Sequence, residues 1–222
     1  IVRFQTGLVN PTVTLRAQDG SSRVTKITIG QNAAGSTAVG TSSMELANGS
    51  VDLLVTDLVL SRGGSASPNK PAVNGYFSMG GGTVDATNIW VSKNESGGLN
   101  TTNTAHFYQL GGNVKVSTLT LADTTSVSTT NIPTFNSQYT LTSGVLSAAN
   151  IKAGAGVFTT STIRRINFNG GTITHYDSAT NLTINGVIGT GGTIGIVLGT
   201  DGSPTIQADA GRTVTLGAFT AI

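Results

Sequence analysis

The sequence predicts an all-β chain folded as a single-stranded parallel β-helix, a β-solenoid with rungs of about 31 residues. Three observations carry this. First, an x-Φ-x-Φ motif (Φ apolar) returns as T-K-I-T-I-G, T-D-L-V-L-S, T-N-I-W-V-S, S-T-L-T-L-A, A-N-I-K-A-G, T-N-L-T-I-N and R-T-V-T-L-G. Its leading residues are Ile27, Leu58, Ile89, Leu119, Ile151, Leu182 and Val214, spaced by subtraction at 31, 31, 30, 32, 31 and 32. Second, no segment shows helical periodicity. Third, a Gly-containing corner and another short strand precede most copies, as in Leu110, Gly111-Gly112, Val114 and Val116. A unit of short strands cannot bury its apolar face alone, so copies must stack, each rung pairing with those above and below.

In chain order, residues 1–11 form a candidate terminal pairing strand closed by Pro11, and Thr12 to Leu15 makes the next strand. Asp19-Gly20 and Asp201-Gly202 are turns, since neither is followed by the alternating acidic ligands of a calcium loop. In each rung the residues at Ile27 and Ile29, and their equivalents up to Val214 and Leu216, alternate with a mostly polar column and should face inward. The intervening column of Thr28, Val59, Trp90, Thr120, Lys152, Thr183 and Thr215 should face out. Polar stretches of variable length separate the units, and Pro68 and Pro71 fall in one of them, where no ladder donor is needed. No charge run or proline-rich linker divides the chain, which reads as one domain over 1–222 with about seven rungs.

Charged residues make up 10% of the chain and hydrophobic ones 37%, a balance that excludes disorder driven by net charge. Net charge is +2, from 12 basic and 10 acidic residues, and Arg164-Arg165 is the one adjacent basic pair. No basic patch interleaved with aromatics offers itself to nucleic acid. Cysteine is absent, so no disulfide holds the fold. No apolar run is long enough to span a bilayer. Ile1 opens the chain inside a strand-like run with no signal peptide, which reads as a mature product or a piece of something longer. Thr/Gly/Asn-rich, cysteine-free β chains suit bacterial export.

The runs L-G-G-N-V-K-V-S-T-L-T-L-A-D and M-G-G-G-T-V-D-A-T-N-I-W-V-S resemble the autotransporter-associated β-strand repeats of large secreted bacterial surface proteins, a likeness extending over roughly 24–216. The resemblance implies a right-handed β-helix, export and a surface role. It brings no catalytic motif.

Candidate chemistry is sparse, and no cofactor is expected. Asp52 and Asp85 follow Gly corners, with Lys115 in the next unit. Stacked a rung apart, they form either a surface ion-pair column or a candidate cation or catalytic cluster. His106 and His175 lack a third ligand. Trp90 is either a sugar platform or a residue packed under the loop that follows it. On the outward positions of the x-Φ-x-Φ motif, Thr-x-Thr arrays of the ice-binding type occur only at Thr118/Thr120 and Thr213/Thr215. No G-x-S-x-G elbow is present. The expectation is a non-catalytic structural subunit of an extracellular bacterial fibre, sheath or adhesin; the alternative is a carbohydrate-binding or carbohydrate-cleaving β-helix. Phe4 and Val9 at one end, with Phe219 and Ile222 at the other, are the expected contacts of a head-to-tail homopolymer, and a surface polysaccharide is the other candidate partner.

Overall fold

The computed structural model describes residues 1–32, 39–63, 72–95, 102–124, 132–185, 194–199 and 202–217. Its strands are β1 (Val2–Arg3), β2 (Thr12–Leu15), β3 (Val24–Gln31), β4 (Gly40–Gly63), β5 (Val73–Asn94), β6 (Thr102–Gln109), β7 (Asn113–Thr124), β8 (Thr134–Leu141), β9 (Val145–Ala153), β10 (Ile163–Phe168), β11 (Thr172–His175), β12 (Leu182–Asn185), β13 (Gly195–Leu198), β14 (Thr205–Ile206) and β15 (Val214–Leu216). Every pairing is parallel, and the pairings sort into three ladders. The first face runs β1-β4-β5-β6-β8-β10-β13, the second β2-β4-β5-β7-β9-β11-β14, and the third β3-β4-β5-β7-β9-β12-β15. The long strands β4 and β5 pass through all three faces in one coil. This is the predicted parallel β-solenoid. Among the described residues no helix is long and apolar enough to cross a membrane.

The third face is the x-Φ-x-Φ column. Leu58, Ile89, Leu119 and Ile151 are fully buried and stand in register. The sixth rung departs from the equal-spacing reading, because Ile184, not Leu182, lies opposite Ile151. His175 still pairs with Ala148, but Thr183 pairs with Asn150, so residues 176–181 form an extra corner. Asp177 caps that corner by accepting from the Ala179 N–H at 2.9 Å and the Thr180 hydroxyl at 2.6 Å. A slip of two residues keeps strand parity, so Leu182 and Ile184 are both buried.

On the first face the inward column is Met44, Phe77, Phe107, Tyr139 and Ile166, in register, Met44 partly buried and the other four buried. The Phe77 and Phe107 rings lie 4.7 Å apart, and Phe107 and Tyr139 stack at 4.8 Å. Alternation from Phe107 places Gln109 inward and Leu110 outward. Leu110 is accordingly 42% exposed and Gln109 fully buried, the reverse of the apolar assignment. Gln109 is tolerated because all its capacity is used. Its Oε1 accepts from the Tyr139 hydroxyl at 2.6 Å, while Nε2 donates to the carbonyls of Gly112 and Val145, each at 3.0 Å. Burial pushes the Tyr139 phenol well above its usual range, so it stays a donor. Tyr139→Phe or Gln109→Leu alone strands a buried polar group and should cost about 1–3 kcal/mol. The double variant should recover at least ~1 kcal/mol of the summed loss, read as coupling in denaturant melts.

The corner leaving the third face is also built from backbone. Gly30, Ser61, Ser92 and Ala122 each follow the second Φ of the motif, with φ of 80°, 54°, 71° and 53°. Left-handed conformation costs an L-residue about 1–2 kcal/mol, which explains why only small residues occur there. The buried Ser92 hydroxyl has no hydrogen-bond partner among the described residues, whereas Ser61 donates to the Val73 carbonyl at 2.7 Å. Ser92→Gly should therefore raise stability by about 1 kcal/mol, strain relief and removal of the orphan hydroxyl outweighing glycine's entropy. Ser61→Gly should gain less.

Candidate functional site

The acidic residues after the Gly corners do not form the expected column. Asp52 stands opposite Thr83, and Asp85 opposite Leu54 and Lys115. The apolar residue after the corner is not equivalent in the two rungs: Val51 aligns with Gly82, and Leu53 with Val84, across an irregularity between Leu46 and Ser50. Each carboxylate has its own arginine. Arg16 holds Asp52 through Nη2 at 2.7 and 2.9 Å and Nε at 3.1 Å. Arg23 reaches the Asp85 carboxylate at 2.8 Å and the carbonyls of Val55 at 3.0 Å and Asp85 at 2.8 Å. Lys115 turns to the Tyr176 ring, 4.6 Å from its centroid. The two aspartates thus serve separate pairs that staple the second face, and pairs this exposed contribute between nothing and about 1 kcal/mol. Among the described residues no group of three or more His, Asp or Glu is placed to hold a metal. Asp19 is the tight-turn residue expected, accepting from the N–H groups of Ser21 and Ser22 and from the Ser22 hydroxyl; those bonds, the hydroxyl's foremost, lower its pKa to about 2. Asp201 lies outside the described residues.

The outward column of the third face is less exposed than alternation alone implies. Val59 is fully buried and Thr120 is 3% exposed, with Trp90, the largest side chain of the column, in register between them. A shallow groove of about 310 Å³ runs here, lined by Trp90, Thr118, Asp123 and Lys152 among others. The Lys93 ammonium sits 4.2 Å from the Trp90 ring centroid and 3.3 Å from Glu95, which also accepts from Arg62. One face of the indole is therefore already occupied by a paired cation.

The outer surface of the first face carries a denser constellation. Two rows of side chains run along the solenoid axis: Ser43, Tyr76, His106, Gln138 and Arg165, and beside it Glu45, Ser78, Tyr108, Thr140 and Asn167. His106 is the hinge between them. Its ring meets Tyr76 edge-on at 5.8 Å and Tyr108 at 5.5 Å, and Nδ1 lies 2.6 Å from the Tyr108 hydroxyl. An amide relay continues down the rungs, from Asn167 Nδ2 to Gln138 Oε1 at 2.9 Å and from Gln138 Nε2 to Asn136 Oδ1 at 2.8 Å. Arg165 ends the first row, and among the described residues it makes no ion pair. Its neighbour Arg164 points inward, its guanidinium 4.0 Å over the Phe158 ring, and burial lowers its pKa to about 10. The adjacent basic pair is thus split between the two sides of one strand.

Desolvation lowers the His106 pKa, the Asn136 amide pulling the other way. A base depressed in the fold binds its proton more readily when unfolded. Stability should thus be full above the unfolded value of about 6.5 and fall as pH drops through it, levelling off below the folded pKa. Thermal melts between pH 8 and 5 should show that loss, and His106→Gln should flatten it.

At the ends, Phe4, one of the expected self-association residues, is partly buried. It packs against the chain's own core, and a Cβ on Gly49 would lie 2.4 Å from its ring. Val2–Arg3 pairs with Met44–Glu45, so the terminal strand belongs to the chain's own first rung. Val9 is exposed, as are Leu198 and Leu216 at the opposite end; Phe219 and Ile222 lie outside the described residues.

Compared with known proteins, the chain matches no family model, no curated protein and no solved structure. The sequence signal for the first-face constellation was the H-F-Y run at 106–108 and the R-R pair, read two residues at a time with strand parity.

Proposed function

We propose that the chain is a non-catalytic structural segment of an extracellular bacterial fibre, sheath or adhesin, whose end rungs stack head to tail on those of further copies. The observation that favours this reading is the one-sided pairing of the outermost described strands. Among the described residues β1, β2 and β3 at one end, and β13, β14 and β15 at the other, each pair on one side only. Apolar side chains stand exposed beside those open edges: Ile1, Val2, Leu8 and Val9 at the first, Leu198, Ile206 and Leu216 at the last. An open strand edge with apolar neighbours is a template for another strand, and a head-to-tail contact that does not close builds a filament. The resemblance to autotransporter-associated repeats and the cysteine-free, Thr-rich composition support the surface setting. Sedimentation velocity across a concentration series tests the reading. The unmodified chain should associate, and Val9→Lys with Leu198→Lys should leave it monomeric with an unchanged far-UV spectrum. Association undiminished by both changes would contradict it.

A second reading is contact with a surface polysaccharide through the outer first face. It is favoured by the Tyr76–His106–Tyr108 group set among amides, because half-buried aromatic rings beside hydrogen-bonding side chains suit a sugar ring's apolar face and hydroxyl edge.

A further inference from the structure

We infer, resting on the polysaccharide reading of the outer first face, that this face selects an acidic polysaccharide, with Arg165 receiving the carboxylates and the Tyr76–His106–Tyr108 group holding the sugar rings. The charges on the face decide the class of ligand. Arg3 and Glu45 stand opposite each other in register at one end, and Glu45 also accepts from the Ser43 hydroxyl at 2.8 Å. Those two charges offset each other. At the other end Arg165 lies between Gln138 and Gly195, neither of them acidic. Its Nε is shut off from water without a hydrogen-bond partner among the described residues. The two Nη groups, which make no ion pair among the described residues, are then the donors left for a planar oxyanion, which they can take up through two parallel N–H···O bonds.

Position along the face sets how the ligand lies. Tyr76, His106, Gln138 and Arg165 occupy successive rungs of one row, spaced by about 4.8 Å per rung. The aromatic group and the cation are thus separated by about two rungs, and the Gln138 and Asn136 amides lie between. A chain of linked sugars laid along the solenoid axis meets rings, then amides, then the cation. A single monosaccharide does not span them, so the ligand is a polymer. The third-face groove is the weaker candidate, because Lys93 already covers one face of Trp90 and is itself paired to Glu95.

Isothermal titration calorimetry of the full chain at about 0.15 M salt, where long-range attraction is screened beyond about 8 Å, tests this with two probes. One is polygalacturonate; the other is the same polymer with its carboxylates reduced to alcohols. Polygalacturonate should bind at least about tenfold more tightly, and Arg165→Gln should abolish that difference. Tyr108→Ala should weaken both polymers. Lys152→Gln, which removes an exposed charge from the third face, should change neither. Equal affinity for the two polymers, or equal losses from Arg165→Gln and Lys152→Gln, would overturn the acidic selectivity while leaving polysaccharide contact standing. Binding of neither polymer would overturn both.

Discussion

Leu119→Asp should cost about 5 kcal/mol or more and leave little folded chain at room temperature. Leu119 is fully buried, with Ile89 and Ile151 on its two ladder sides. Removing a buried leucine costs about 2–5 kcal/mol. The new carboxyl must also sit in an apolar column, either charged without a partner or protonated without enough hydrogen bonds. Lys152→Asp is the matched control, since Lys152 is exposed on the outer side of the same face, and it should stay within about 0.5 kcal/mol of the parent. Thr120 does not serve as that control, because it is 3% exposed despite its outward position. Similar losses at Leu119 and Lys152 in denaturant melts would show the inside and outside of the third face to be misassigned.

Gly144→Val should be the most damaging change at a corner, at roughly 3–5 kcal/mol. Gly144 has a φ of 88°, and a Cβ there would lie 2.0 Å from the Gly112 carbonyl oxygen of the neighbouring rung. The clash is with backbone that is itself in use, because the Val145 N–H donates to that carbonyl at 3.0 Å. A β-branched residue adds the worst side-chain shape for the left-handed region. The loss should appear cooperatively in melts, since the corner ties the first face to the second on adjacent rungs. A variant as stable as the parent would place the corner elsewhere.

The solenoid itself was legible because its signal is multiplied. A single x-Φ-x-Φ run is ambiguous, whereas repetition at nearly constant spacing leaves stacking as the one arrangement that buries every copy. Equal spacing was also what misled. Leu182 lies 31 residues after Ile151, yet the six-residue corner at 176–181 makes Ile184 its true neighbour. Asp52 and Asp85 both follow a Gly corner, yet the corners are not equivalent, because Val51 aligns with Gly82. Leu110 is apolar yet exposed and Gln109 polar yet buried, because hydropathy does not register that Tyr139, 30 residues away, supplies a hydroxyl to the buried amide. The outer first face was unreadable for a related reason. Its members lie about 30 residues apart in sequence and become neighbours only once the register of each rung is fixed.

The proposed head-to-tail stacking concerns the outermost described strands, which pair on one side only. Negative-stain microscopy of the unmodified chain at increasing concentration measures this in one step. Stacking of open end rungs predicts unbranched filaments one solenoid wide, lengthening as concentration rises. Discrete particles of single-chain size at every concentration would contradict the account.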